Sequence, residues 1–234
     1  MIISNKRSIT LTIKVNGKQL EQCESYKYLG VYIDKSLSWK PHIDYIAKKI
    51  SKACGALARI RHFVGEEILR NVYFALVNSY IRYGIVAWGN ASALSLNPLN
   101  ALVNRSVRIM SFAPFGPIDT IPIFCYFNIL DISKTFLFEQ GKFIYKSKMN
   151  LLPISSIASH FHERRSEIRH NYSTRNRVMP YQSIVPFELL SSYAQKSIAM
   201  KRHIVWDGIP NDIRYSESLN CFKRNYKSFL IESL

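Results

Sequence analysis

The chain has 234 residues, of which 47% are hydrophobic, and its 32 lysines and arginines outnumber 16 acidic residues, giving a formal net charge of +16. This composition is typical of a globular chain, and the positive charge favours a polyanionic partner, either nucleic acid or an anionic membrane. Asn78 and Arg82 interrupt the most apolar stretch, which argues against a membrane-spanning helix. The absence of a signal peptide and the four scattered cysteines predict an intracellular protein, nuclear or cytoplasmic, that is not secreted.

The first residues have the alternating pattern of β-strands. Apolar side chains occupy every second position of Ser8–Val15, which predicts a half-buried strand. Asn16 and Gly17 follow, and this pair favours a tight hairpin turn because a type I′ turn needs positive φ at both central residues. We expect the return strand at Lys18–Cys23 and a further strand at Tyr26–Asp34. The N-terminal end is therefore predicted to be an antiparallel hairpin or meander.

Beyond Pro41 the apolar residues recur every three or four positions, which predicts helices. A second helix is expected after Gly65, with its apolar stripe at Ile68, Leu69, Val72, Tyr73, Leu76 and Tyr80. The other predicted helices are His42–Val64, Leu99–Phe112, one or two within Leu130–Lys148, and Leu219–Leu234. The predicted fold class is α+β and mainly α, with an N-terminal β-hairpin, a helical bundle, and a helical C-terminal segment rich in arginine.

The positive charge is concentrated at the two ends of the chain. Residues 1–64 contain 12 basic and 4 acidic residues, and residues 159–234 contain 12 and 7. In the first region Lys48, Lys52 and Arg59 recur at helical spacing, which is typical either of a helix that follows a phosphate backbone or of an ordinary solvated face. In the second region an arginine-rich segment suits RNA or DNA contacts, or is a flexible basic linker. Its candidate nucleic-acid-binding residues are Arg164, Arg165, Arg169, Tyr172, Arg175 and Arg177.

The segment Tyr26–Ile50, YKYLGVYIDKSLSWKPHIDYIAKKI, resembles the region just past the catalytic palm of reverse transcriptases from LINE-type, non-LTR retrotransposons. In that family a KYLG-x-x-ID-x-x-L-x-W-x-x-HI stretch leads from the last palm strands into the thumb. Asp207 and Ile209 depart from the family pattern, which commonly has Asn and Leu there. Later segments that also resemble the family are VNSYIRYGIVAWGNA, LNALVNRSVRIMSF, YKSKMNLLP, HNYSTRNR, VWDGIP-x-x-IR and FKRNYKSFL.

The resemblance implies a division of the chain and a set of partners. Residues 1–36 would be the end of the palm, 37–113 the helical thumb, 114–158 a helical connection, and 159–234 a basic C-terminal segment. Lys27, Tyr28, Leu29 and Gly30 would form the primer grip, the strand and turn that hold the growing 3′ end; alternatively, they form a sheet edge that packs on the thumb. The implied partners are an RNA template and an RNA/DNA primer duplex, without a membrane.

The family's active site is a Tyr/Phe-x-Asp-Asp hairpin, with a further Asp upstream, that holds two Mg²⁺ ions. The segment of this chain most similar to that motif is Tyr32-Ile33-Asp34-Lys35, in which Lys35 takes the place of a metal ligand. We therefore expect no catalytic residue, no metal site and no cofactor in this chain, with Mg²⁺ bound upstream in the parent polymerase. The expected function is a polymerase fragment that binds template–primer. The alternatives are a stand-alone nucleic-acid-binding protein derived from such an element, or a non-functional relic.

Overall fold

The computed structural model describes residues 12–19, 21–113, 119–149, 151–152 and 204–234. These residues fall into two compact units. The first contains the described residues up to Phe136 together with Ile231–Leu234, and the second contains the described residues from Leu137 to Leu230. Helices and two small antiparallel sheets make up their regular structure, which confirms the predicted α+β, mainly α class.

A short hairpin opens the described part of the chain. Strands β1 (Lys14–Val15) and β2 (Lys18–Gln19) pair antiparallel. Asn16 and Gly17 join them with φ values of 50° and 76°. The predicted turn is therefore confirmed. The return strand is shorter than predicted, and residues 8–11 of the first predicted strand lie outside the described residues.

A second hairpin replaces the single strand predicted from Tyr26 to Asp34, so that prediction is wrong. Strand β3 (Ser25–Tyr28) pairs antiparallel with strand β4 (Val31–Asp34). Leu29 and Gly30 form the turn with φ values of 45° and 83°, and two positive φ values are the mark of a type I′ turn. A leucine seldom adopts this conformation, so Leu29 gave no sign of a turn here.

Helix α1 (Lys40–Ile60) is the longest described element, with Pro41 in its first turn. It begins two residues before and ends four residues before the predicted limits. Its buried side consists of apolar residues that recur at helical spacing, together with the ring of His42. The buried residues are His42, Ile43, Ile46, Ile50, Ala53, Cys54 and Leu57.

The second predicted helix has three consecutive parts, α2 (Glu66–Tyr73), a π-helical turn (Phe74–Asn78) and α3 (Ser79–Arg82). The wider π-helical turn changes which side chains face the core, because it has more residues per turn than an α-helix. The buried apolar residues recur every four positions and are Leu69, Tyr73, Val77 and Ile81. Ile68 and Leu76 of the predicted stripe are exposed, so that part of the prediction is wrong.

Helices α4 (Ile85–Trp88), α5 (Ala93–Met110) and α6 (Ile121–Tyr126) complete the helices of the first unit before Ile132. Helix α5 begins six residues before the predicted Leu99. The Ser92 side chain caps it by accepting the N–H of Ser95 at 3.2 Å, and the helix continues through Pro98. The side chains of Leu99, Val103, Val107 and Met110 are buried in the core with the inner faces of α1 and α2.

Helix α7 (Ile132–Lys148) is a single helix. In the second unit, stacked aromatic rings form the packing around Phe222, which lies in the C-terminal helix Leu219–Glu232. The ring of Tyr145 is 4.4 Å from that of Phe222, and the ring of Tyr226 is 5.4 Å from it. Tyr145 Oη donates a hydrogen bond of 2.7 Å to the Ser216 carbonyl. Among the described helices, none has both the length and the apolar character needed to cross a bilayer.

Candidate nucleic-acid interface

Helix α1 places its basic residues in one row. Lys48, Lys52 and Arg59 are all exposed, and their spacing of four and seven residues puts them on the side of the helix opposite the buried stripe. Asp44 is the only acidic residue of this helix. We call these three side chains the basic row. The structure therefore brings together the three residues that the sequence singled out on this helix.

Gly55 lies between Lys52 and Arg59 on the same side of the helix. A Cβ atom built at Gly55 would meet no other atom within 4 Å. The helix backbone is consequently uncovered at this point of the basic row. A phosphate group could approach the helix more closely here than it could beside a residue with a larger side chain.

The β3–β4 hairpin contains the four residues that the family resemblance assigns to a primer grip. Tyr28 and Leu29 are 59% and 72% exposed. The hydroxyl of Tyr83 donates a hydrogen bond of 2.6 Å to the Leu29 carbonyl. A Cβ atom at Gly30 would lie 3.3 Å from the Tyr83 ring, so the absence of a side chain allows the ring to pack on the turn. Tyr83 therefore holds the tip of the hairpin in place.

Cations and aromatic rings meet where the hairpin contacts α1. Lys27 Nζ lies 5.5 Å from the centre of the Tyr32 ring and 5.1 Å from that of Tyr45. Lys49 Nζ lies 5.6 Å from the same Tyr45 ring, and the two tyrosine rings are 5.2 Å apart. We call these four side chains the Lys–Tyr cluster. They place two positive charges and two π-faces beside the basic row, because Tyr45 and Lys49 belong to the same helix as that row.

The buried ring of His42 connects α1 to the hairpin. Lys27 and Tyr32 are a non-hydrogen-bonded pair of the hairpin, so the N–H of Tyr32 points away from β3. It donates to His42 Nδ1 at 3.4 Å, which leaves the ring hydrogen on Nε2. The ring is 2% exposed and packs edge-on against Trp88 at 5.6 Å. Burial lowers the pKa of His42 from 6.5 to about 4, so the imidazole is neutral at pH 7.

Asp34 belongs to the turn that connects β4 to α1. Its carboxylate accepts hydrogen bonds from Ser36 Oγ at 2.5 Å, the Ser38 N–H at 3.0 Å and the Trp39 N–H at 2.8 Å. Burial alone would raise the pKa of Asp34, but these hydrogen bonds hold it below its ordinary value. These three donors make the Asp34 carboxylate part of the turn that leads into α1. Within the described residues, no three His, Cys, Asp or Glu side chains lie close enough together to hold a metal ion.

The structure adds residues that sequence reasoning missed. Tyr45 and Tyr83 contact the hairpin and Lys49 lies over the Tyr45 ring, but only the i,i+4 spacing of Tyr45 and Lys49 hinted that any of them lie together. The six predicted residues of the arginine-rich segment lie outside the described residues, and their proposed role stays a prediction. These six are Arg164, Arg165, Arg169, Tyr172, Arg175 and Arg177.

The chain is similar in sequence to polymerases of mobile elements. It is 29% identical over 110 residues to the probable RNA-directed DNA polymerase from transposon BS of Drosophila melanogaster. These aligned residues make up 46% of this chain and 12% of that protein. It is 30% identical over 107 residues to the RNA-directed DNA polymerase from mobile element jockey of Drosophila funebris. Here the aligned residues make up 44% of this chain and 12% of that protein.

A third relative is the retrovirus-related Pol polyprotein from type-1 retrotransposable element R1 of Bradysia coprophila, 24% identical over 112 residues, or 47% of this chain and 11% of that protein. The matched part of the chain thus spans only 11–12% of the length of these relatives. No protein-family model and no solved structure matches the chain. The resemblance of the Tyr26–Ile50 region to non-LTR reverse transcriptases agrees with these relatives. Over nearly half of its length, this chain is related to the RNA-directed DNA polymerases of non-LTR retrotransposons.

Proposed function

We propose that this chain supplies the template–primer grip of a non-LTR retrotransposon RNA-directed DNA polymerase, and that the α1 face binds the RNA/DNA duplex. The observation that carries the proposal is the basic row, in which Lys48, Lys52 and Arg59 share one exposed face and no acidic residue of α1 follows Asp44. The row extends over 11 helical steps, which is about 16 Å at a rise of about 1.5 Å per residue. That length suits contacts to several successive phosphates of one strand.

The Lys–Tyr cluster supports the same surface. Lys27 is held between two tyrosine rings, so its charge stays at the junction between the hairpin and the helix. In this position it would add a phosphate contact at one end of the basic row. The exposed Tyr28 ring would lie beside the primer end, and the Leu29–Gly30 turn, fixed by Tyr83, would set the distance between the primer and α1.

The chemical step is not assigned to this chain. The sequence contains no two adjacent aspartates, and the carboxylate of Asp34 is occupied by three hydrogen-bond donors. Phosphoryl transfer by two metal ions needs a group of carboxylates placed to hold both metals. We therefore expect the purified chain to bind primer–template without extending it. Templated incorporation of nucleotides in a primer-extension assay with Mg²⁺ or Mn²⁺ would overturn this part of the proposal.

The duplex interface is tested by fluorescence anisotropy with a labelled RNA/DNA primer–template. A variant with Lys48, Lys52 and Arg59 all changed to Gln should bind about tenfold or more weakly at moderate salt, because three phosphate contacts are removed. The matched control changes Lys14, Lys18 and Arg224 to Gln; these residues are also exposed, and the net charge falls by the same amount. Equal affinities of the two variants would contradict the proposed interface, since only overall charge would then matter.

A further inference from the structure

A second basic site lies in the first unit, at the C-terminal ends of α1 and α5. A cavity of about 320 Å³ opens there, within the size range of small-ligand sites. Three arginines line it, namely Arg61 from the α1 side and Arg105 and Arg108 from α5. The remaining described lining residues are apolar, with the ring of Phe112 at the edge of the cavity, and none of the described residues that line it is acidic. The site therefore combines an anion-binding wall with an apolar wall.

Phe112 has a backbone conformation that ordinarily favours glycine. Its φ is 54°, directly after the C-terminal end of α5. The N–H of Ala113 donates to the Arg108 carbonyl at 3.1 Å, which closes the helix in a Schellman motif. Glycine is the residue usually found at this position, since it has no Cβ to clash. Because this conformation is unfavourable for phenylalanine, its presence here indicates that the aromatic ring has a function.

The Phe112 ring is arranged like a stacking surface. It is 47% exposed, and the Arg61 guanidinium lies 5.1 Å from the centre of the ring. The His62 ring packs against it edge-on at 5.5 Å. These two contacts position the ring while part of it remains open to solvent. A flat, apolar-faced group with an attached anion matches both walls of the cavity.

We infer that this cavity binds one nucleotide of a single-stranded nucleic acid, with the base on Phe112 and the phosphate on Arg105 and Arg108. Arginine suits this role because its planar guanidinium forms paired hydrogen bonds with phosphate oxygens. Aromatic side chains hold bases of any sequence because every base has a π-face. The cavity does not include the basic row, so the inference does not depend on the duplex interface proposed above.

The test uses the full chain and two labelled single-stranded probes of equal length, an oligodeoxyadenylate and an abasic oligonucleotide. We expect the wild type to bind the oligodeoxyadenylate at least about fivefold more tightly, which is the lower end of what one base–aromatic stack contributes. The variant Phe112→Gly should lose this preference and keep its affinity for the abasic probe. It should also keep its fold, since glycine suits a φ of 54°. Arg105→Gln should weaken binding of both probes, whereas Arg224→Gln, at an exposed arginine of the other unit, should not.

Two results would overturn the inference. One is a wild type that binds both probes equally, which would make the cavity a plain anion site. The other is a Phe112→Gly variant that retains the preference for the oligodeoxyadenylate, which would place the base elsewhere. Primer–template affinity should be the same for Phe112→Gly and the wild type. Failure here is therefore distinguishable from failure of the duplex interface, which would appear in the basic-row variant.

Discussion

His42 should make the stability of the fold depend on pH below neutrality. Its folded pKa of about 4 lies below the ordinary value of 6.5, so the unfolded chain takes up the proton more readily than the folded chain. The contribution of neutral His42 to the free energy of unfolding is therefore fully present above pH 6.5, and it is lost as the pH falls from 6.5 to 4. A difference of about 2.5 pKa units corresponds to about 3–4 kcal/mol of unfolding free energy, at about 1.4 kcal/mol per pH unit within this window.

The perturbation that isolates this effect is His42→Asn. The Asn side-chain oxygen can accept the Tyr32 N–H as Nδ1 does, but the side chain does not titrate. Urea unfolding at several pH values between 4.5 and 7 gives the free energy of unfolding for each variant. The other titrating groups are common to both proteins, so the difference between the two pH profiles reports His42 alone. We expect the variant to be less stable at pH 7, because packing against Trp88 is lost, but flatter in its pH dependence.

A matched control is Tyr73→Phe in the same core. The Tyr73 hydroxyl is buried and has no hydrogen-bond partner among the described residues, and burial raises its pKa well above the range of the experiment. This variant should keep the wild-type pH profile and gain up to about 1 kcal/mol in stability, because a buried unpaired hydroxyl is removed. If His42→Asn keeps the same steep profile as Tyr73→Phe, the buried neutral imidazole is not the source of the pH dependence.

The remaining predictions concern a glycine contact and the turn before α1. Gly141→Ala should cost about 1–3 kcal/mol of unfolding free energy, because a Cβ atom there would overlap the Tyr226 ring. Gly55→Ala, at an open helical position, should instead add about 0.5–1 kcal/mol; chemical denaturation measures both, and the same sign for the two would contradict the packing described for Gly141. Asp34→Asn should cost about 1–3 kcal/mol at pH 7, because the amide group cannot accept from all three donors, whereas Asn at the exposed Asp44 should change stability by less than about 0.5 kcal/mol.

Much of the helical part of the fold could be predicted from the sequence, because each helix buries one stripe of side chains. The exceptions have local physical causes. The π-helical turn at Phe74–Asn78 changes the residues that face the core, and a period of 3.6 residues does not anticipate it. Leu29 and Phe112 adopt positive φ, for which their residue types give no signal. The sequence predicted that α5 begins at Leu99, but the Ser92 cap starts the helix earlier and the helix continues through Pro98.

The candidate sites also differ in whether they could be predicted from the sequence. The basic row could be predicted because its residues belong to one helix, and helical geometry alone brings them to one face. The Lys–Tyr cluster could not, because it depends on how the hairpin packs on α1 and joins residues 18 positions apart, such as Lys27 and Tyr45. The cavity lined by Arg61 and Arg105 depends on the contact between α1 and α5, which local sequence patterns do not specify.

The most direct test of the central claim is the salt dependence of primer–template binding. If Lys48, Lys52 and Arg59 each contact a phosphate, their triple change to Gln should reduce the slope of log affinity against log salt concentration by about 2.7, at about 0.9 per contact. The control at Lys14, Lys18 and Arg224 should leave the slope at the wild-type value. A basic-row variant with the wild-type slope would show that α1 does not follow the phosphate backbone, and would contradict the proposed function of this surface.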